Sequence, residues 1–147
     1  MQKDLVYLVQ TDTTVGFSSS NDEKLSTIKQ RPKNQKILQT VDSLKTLQNK
    51  TRVPKEFRRK VRKSSRATFI YPNNLSFRVI SRDNSFNPFI QKFNSLYSTS
   101  ANLTKNSFDY EFASKNSDII VFTKDGFSEK ASSSIYKINK NKIVKIR

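Results

Sequence analysis

LVYLVQTDTTVGF, residues 5–17, opens with five apolar residues, Leu5 to Val9. A short apolar run with valines and a tyrosine, bounded by turn formers, reads as a buried strand. The run stops at a polar cluster, Thr11-Asp12-Thr13-Thr14, and Gly16 follows, one of only two glycines in the chain. A glycine placed there predicts a backbone with unusual dihedrals or one closely approached by a ligand. The stretch therefore reads as a strand running into a polar loop at the carboxyl end of a sheet, where open α/β sheets bind ligands. Taken alone, it reads first as an ordinary strand-to-helix loop with capping threonines.

Composition narrows the function. The 147 residues suffice for one small domain with a real core, and residues 1–147 read as that domain. Lysine and arginine outnumber the acids 28 to 12, a net charge of +16. Such an excess matches anionic partners: nucleotides, nucleic acid or, less well, a membrane surface. An AT-rich genome is a bland source for part of the lysine. The chain has no cysteine and no histidine. Disulfide and thiolate chemistry are thereby excluded, and the commonest general base and metal ligand are missing. No apolar run approaches the ~20 residues of a membrane span. The start of the chain lacks the apolar core of a secretion signal, so the expected location is the cytoplasm, away from membranes.

Along the chain, Asn21 or Asp22 caps a predicted helix to about Gln30, ended by Pro32 and carrying Lys29 and Arg31 near its exposed last turn. Lys36 to Val41 reads as a strand, and Asp42 as the cap of a short helix with Leu44 and Leu47 inward. Pro54 starts a further helix to about Lys63. Ala67 to Tyr71 and Leu75 to Ile80 form a hairpin around Pro72-Asn73-Asn74. A helix from Asn87-Pro88, a strand from Leu96 to Thr99, a helix around Asp109 to Lys115 and a strand from Asp118 to Phe122 follow. Ser133 to Ile138 and Ile143 to Ile146 close the chain as a hairpin. This order predicts an α/β fold, a single-domain twisted mixed β-sheet flanked by helices.

Four groups of residues could carry chemistry. Lys29-x-Arg31 is a candidate phosphate grip, a point charge beside a planar fork, although two cations at a helix carboxyl end also suit its dipole. Ser98-Thr99-Ser100-Ala101-Asn102 offers hydroxyl and amide donors at a strand end, or simply a cap. The block from Lys50 to Arg66 holds nine cations and one acid, Glu56. Most charge runs are solvated faces; here the density of like charge makes Arg58, Arg59 and Arg62 candidates for nucleic-acid contact. The fourth group, Ser132-Ser133-Ser134 with Arg147, signals nothing alone.

Together these pieces resemble, in order, the YrdC-type threonylcarbamoyl-AMP synthase family. The family's PTDTVYGL is similar to Gln10-Thr11-Asp12-Thr13-Thr14-Val15-Gly16-Phe17, and its KxRP to Lys29-Gln30-Arg31-Pro32. Its PGPxT resembles Ser64-Ser65-Arg66-Ala67-Thr68, with Arg78 following in Phe77-Arg78-Val79. Its TSAN-S resembles Thr99-Ser100-Ala101-Asn102-Leu103-Thr104, its PST resembles Ser132-Ser133-Ser134, and its ILR resembles Lys145-Ile146-Arg147. The departures are Val15 for the motif tyrosine, the loss of the PGP prolines and glycine, and the absence of the proline and histidine usual after the arginine. The resemblance implies a YrdC-like fold and an enzyme that joins L-threonine, bicarbonate and ATP, releasing pyrophosphate, for tRNA modification. It implies Lys29 and Arg31 as catalytic residues, with Thr99, Ser100 and Asn102 beside them on phosphate and carboxyl groups. Thr11, Thr13 and Arg78 fall on the threonine side, and Ser133 and Arg147 near the nucleotide. Mg2+ would be carried on the phosphates. tRNA or another RNA is a candidate partner, and a monomer is the default. The alternative left open is a degenerate relative that binds nucleotide or RNA without turnover.

Overall fold

The computed structural model describes residues 2–103 and 105–147; Met1, and Thr104 of the TSAN-like segment, lie outside the described residues. The elements are β1 (Tyr7–Gln10), β2 (Val15–Ser19), α1 (Asp22–Ile28), β3 (Gln39–Val41), α2 (Leu44–Lys50), a 3-10 turn (Lys55–Phe57), α3 (Arg58–Lys63), β4 (Ala67–Ile70), β5 (Ser76–Val79), α4 (Asn87–Gln91), β6 (Ser95–Ser100), α5 (Tyr110–Lys115), β7 (Ile119–Ile120), β8 (Ser134–Ile138) and β9 (Ile143–Lys145). All nine strands join one sheet in the order β7-β1-β2-β6-β3-β5-β4-β8-β9. Pairing is mixed: β1 with β7, β3 with β5 and β4 with β8 are parallel, and the other neighbours are antiparallel. The α/β sheet with flanking helices expected from the sequence is what forms. Among the described residues no helix is long and apolar enough to cross a membrane.

Strand alternation sorts the side chains onto two faces. Leu8 pairs with Phe17, and Phe77 pairs with both Gln39 and Phe69, which puts these side chains on one face. That face is covered at one end by α1 and α5 through Leu25 and Ala113, and at the other by α2 and α3 through Leu47 and Val61. On the opposite face, Tyr7, Val9 and Leu96 pack against Phe86, Phe89, Ile90 and Phe93 of the α4 region. Full burial of each such side chain contributes about 1.5–3 kcal/mol. The rest of this second face, from Gly16 and Ser100 across to Thr68, is left open by the helices and becomes the site.

Local chemistry explains the element ends. Asn21 Oδ1 accepts from Lys24 N at 3.1 Å and starts α1, and Asp109 Oδ1 accepts from Glu111 N at 3.0 Å ahead of α5. α2 is capped by Ser43, whose Oγ accepts from Thr46 N at 3.2 Å, rather than by Asp42. The Asp42 carboxylate is occupied by the Ser43 and Thr46 hydroxyls. Beyond Pro54 the chain makes the 3-10 turn before α3 begins at Arg58.

The opening stretch departs from its sequence reading. Thr11 to Thr14 turns a β-hairpin, and Gly16 lies inside β2 instead of in a strand-to-helix loop. The close approach that the structure shows is by the backbone of β6, and Gly16 also lines the cavity described below. A Cβ on Gly16 would sit 2.8 Å from the Thr99 carbonyl oxygen and 3.2 Å from Thr11 Cγ2. A strand backbone cannot swing aside as a flexible side chain can. Gly16→Ala should therefore destabilise the protein by about 1–3 kcal/mol, read as a lower urea midpoint with an unchanged slope.

Candidate active site

A cavity of about 590 Å³ opens on the free face of the sheet. Thr11, Thr13, Arg31, Arg78, Thr99, Ser100, Asn102, Ser133 and Arg147 all line it. These residues come from the β1–β2 turn, the end of α1, β5, β6 and the two ends of the closing hairpin. Lysines 105 and 130 stand at the rim, and Glu129 is the one carboxylate lining the cavity among the described residues. Glu129 Oε1 is itself engaged by the Phe108 amide.

The floor is organised by an acid that the sequence reading passed over. Arg78 sits mid-strand between Phe77 and Val79, 4% exposed, and Asp12 is 6% exposed. Arg78 Nε lies 3.1 Å from Asp12 Oδ1 and 3.0 Å from Oδ2, the sole ion pair among the described residues. The two Nη groups make longer contacts, to Thr68 Oγ1 at 3.4 Å and Thr13 Oγ1 at 3.5 Å. Thr68 in turn shares a 2.8 Å hydrogen bond with Ser133 Oγ. Arg147 donates through Nε and Nη2 to the Ser133 carbonyl at 3.3 and 2.9 Å. A chain of polar contacts thus runs from the β1–β2 turn to the end of the last hairpin. The missed signal was Arg78 itself: a cation flanked by core residues on a buried strand requires a buried counter-ion.

Lys29 and Arg31 part company at the end of α1. Gln30 adopts φ 54°, Gln30 N bonds to Thr27 O, and Arg31 N bonds to Ser26 O, a Schellman ending without glycine. This turn sends Arg31 to the cavity. Lys29 is 3% exposed, in contrast to its expected place in an exposed last turn. Its Nζ donates to Ser100 O at 2.9 Å, Ser100 Oγ at 3.3 Å, Asn102 Oδ1 at 2.8 Å and also to Asn102 O. An ammonium has three protons, so these acceptors occupy all of them. Lys29 braces the Ser100–Asn102 turn from beneath, while Ser100 and Asn102 face the cavity. Burial, reinforced by the Arg31 charge, lowers the Lys29 pKa to about 8.

Arg58, Arg59 and Arg62 stand apart from this site. They lie exposed on α3, whose Val61 packs on the covered face of the sheet.

No family model and no curated protein sequence matches the chain. Solved structures do. The Sua5 protein of P. abyssi complexed with L-threonine is similar at a TM-score of 0.78 and 13% identity, over 97% of this chain and 50% of that one. E. coli YciO is similar at 0.75 and 18% identity, over 99% of this chain and 83% of that one. Full-length HypF in its phosphate- and nucleotide-bound form is similar at 0.71 and 14% identity, over 97% of this chain and 26% of that one. The chain has the YrdC-like fold of these neighbours, and it spans about half the length of Sua5.

Two measurements test the electrostatics. Asp12→Ala leaves Arg78 buried without its counter-ion and should cost about 3–5 kcal/mol, whereas Asp12→Leu combined with Arg78→Met should recover most of that loss; urea unfolding of the three proteins reads it. The second concerns Lys29, whose folded pKa of about 8 lies below the ordinary lysine value of 10.5. Between those values the folded protein has lost the proton and the unfolded chain still holds it. The Lys29 contribution to stability therefore rises with pH across that window. Burial raises the Tyr7 and Tyr97 hydroxyl pKa values, which pulls the other way. Wild-type stability minus that of Lys29→Met should isolate the lysine and climb from pH 8 to pH 10.

Proposed function

We propose that the cavity is the active site of a threonylcarbamoyl-AMP synthase, taking L-threonine, bicarbonate and ATP. The observation that carries this reading is the meeting of Arg31, Arg78 and Arg147 around one cavity whose described lining holds a single carboxylate, Glu129. Arginine stays charged at any physiological pH and presents a fork matched to carboxylate and phosphate. Three such forks with hydroxyl and amide donors suit a ligand bearing several anionic groups. The volume falls within the usual range for small-molecule sites. The neighbour complexed with L-threonine adds support for the amino-acid part.

In this reading Arg78, steadied by Asp12, holds the threonine carboxylate, with Thr11 and Thr13 beside it. Arg31, Ser100 and Asn102 hold the α-phosphate region, and Ser133 and Arg147 the remainder of the nucleotide. The threonine amine attacks the bicarbonate carbon; a C–N bond forms, a C–O bond breaks and water leaves, giving a carbamate. A carbamate oxygen then attacks the α-phosphorus, the bond to the β-phosphate oxygen breaks, and pyrophosphate leaves with that electron pair. Positioning and charge stabilisation supply the catalysis, so neither histidine nor cysteine is required. Magnesium belongs to the nucleotide in this scheme. Among the described residues no three acidic, histidine or cysteine side chains cluster. Lys29 contributes by holding the Ser100–Asn102 turn rather than by gripping phosphate. That same occupied ammonium favours a second reading, a domain that binds nucleotide without turnover.

Pyrophosphate release that requires both threonine and bicarbonate is the expected result. Arg31→Ala, at a partly exposed position, should keep its melting temperature and lose about 10²–10³ in rate. ATP binding by calorimetry without pyrophosphate would establish the second reading, and absence of ATP binding would sink both.

A further inference from the structure

We propose that Glu129 is the proton acceptor of the cavity, taking the proton that an amino-acid ammonium must lose before its nitrogen can attack bicarbonate. The inference rests on the cavity reading above and fills a role which that reading left open. An α-amino group is mostly protonated at neutral pH. Its nitrogen then has no lone pair to offer. Conversion of an ammonium and bicarbonate to a carbamate and water releases one proton, and a base must receive it. The chain has no histidine or cysteine, and no tyrosine lines the cavity among the described residues. Arg31, Arg78, Arg147, Lys105 and Lys130 enter as cations. Lys29 is buried beneath the Ser100–Asn102 turn, its protons committed to four acceptors. Asp12 has both oxygens on Arg78 Nε and lies outside the lining. Asp109, next to Phe108, caps α5. Glu129 is the base that remains.

Glu129 is exposed at the rim, yet it is held from two sides. The residue before it is stitched to both flanks of the β1–β2 turn. Val15 N donates to Ser128 O at 3.2 Å, and Ser128 N donates to Gln10 Oε1 at 2.8 Å. Thr11 and Thr13, placed above on the amino-acid side, belong to that turn and share the cavity with Glu129. On the other side Glu129 Oε1 accepts from the Phe108 amide, and the Phe108 ring meets Phe127 edge-on at 6.2 Å. Asn102 Nδ2 donates to Asn106 O at 2.5 Å, which ties this part of the rim to the residues placed on phosphate. The carboxylate therefore stands between the two halves of the site. Its Oε1 is engaged, and Oε2 makes no hydrogen bond among the described residues.

The surroundings favour the transfer. Arg31, Arg78 and Arg147 disfavour a further positive charge among them, which weakens the hold of the ammonium on its proton. That proton passes to Glu129 Oε2. The freed lone pair attacks the bicarbonate carbon and forms the C–N bond. The C–O bond to the bicarbonate hydroxyl breaks, and the hydroxyl leaves as water with a second proton from the nitrogen. Because Glu129 is exposed, its own proton returns to solvent and the carboxylate is restored for the next turnover.

The test is the pH profile of threonine- and bicarbonate-dependent pyrophosphate release by the wild type and Glu129→Gln. Glutamine keeps the side-chain length and an oxygen for the Phe108 amide, but it takes up no proton. Near neutral pH the variant should lose about 10²–10⁴ in kcat. The deficit should shrink as pH rises through the range in which the amine loses its proton to solvent unaided. Taking the ratio of the two proteins at each pH cancels the titration of groups they share, Lys29, Lys105 and Lys130 among them. Melting temperature and ATP affinity by calorimetry should be preserved. Full activity in the variant overturns the proposal and leaves the cavity reading standing. So does a raised threonine KM at unchanged kcat, which makes Glu129 a contact for the ammonium alone, and so does a deficit that stays constant with pH. Wild-type protein that releases no pyrophosphate overturns the cavity reading and this proposal together.

Discussion

The cavity side of the molecule depends on the contact between the Asp12 carboxylate and the Arg78 guanidinium. Moving two charges out of water costs several kcal/mol per ion even after relaxation, and their attraction offsets this only with good geometry and further hydrogen bonds. Here one nitrogen sits between both carboxylate oxygens, and two threonines each accept one longer contact from the Nη groups. The pair joins the β1–β2 turn to β5, strands separated by β6 and β3 in the sheet. It pins a hairpin turn to a strand that it does not touch through backbone pairing. Its yield is therefore geometric: the threonines of the turn face a cationic floor because Asp12 can only be satisfied there.

A comparable division of labour appears at the end of α1. Lys29 and Arg31 are two residues apart, yet the left-handed Gln30 points one beneath the Ser100–Asn102 turn and the other toward open solvent in the cavity. A non-glycine residue held at that dihedral costs on the order of 1–3 kcal/mol. The hydrogen bonds of the Schellman ending and the Lys29 contacts hold it in place. The ammonium stiffens the wall of the site, and the guanidinium supplies charge to its interior.

Much of this architecture was legible beforehand. The hairpin around Pro72-Asn73-Asn74 formed as read, with Asn74 at φ 65°, because turn chemistry is local. The cap of α1 is local as well, and of the two residues offered for it, Asn21 and Asp22, the structure uses Asn21. β2 was missed for a physical reason. Its residues, Val15 to Ser19, include a glycine and two serines with weak strand preference, and it is a strand because it lies between β1 and β6. The cavity residues were found through the order of their motifs, which survives where individual residues do not. Asp12 and the depth of Lys29 escaped because burial is set by partners 66 and 71 residues distant in sequence.

The outer strands have a consequence for how copies of this protein meet. An open sheet leaves unpaired backbone groups along both margins, which are templates for edge-to-edge association. At one margin β9 carries Lys145 and is preceded by Lys140 and Lys142, so a second copy approaching in register would bring ammonium against ammonium. At the other, β7 is two residues long and offers too little backbone to template a strand, although Ile119 and the neighbouring Phe122 are exposed. One margin is guarded by charge and the other by brevity. Lengthening β7 while neutralising the lysines would remove both safeguards and turn the sheet into a seed for polymers.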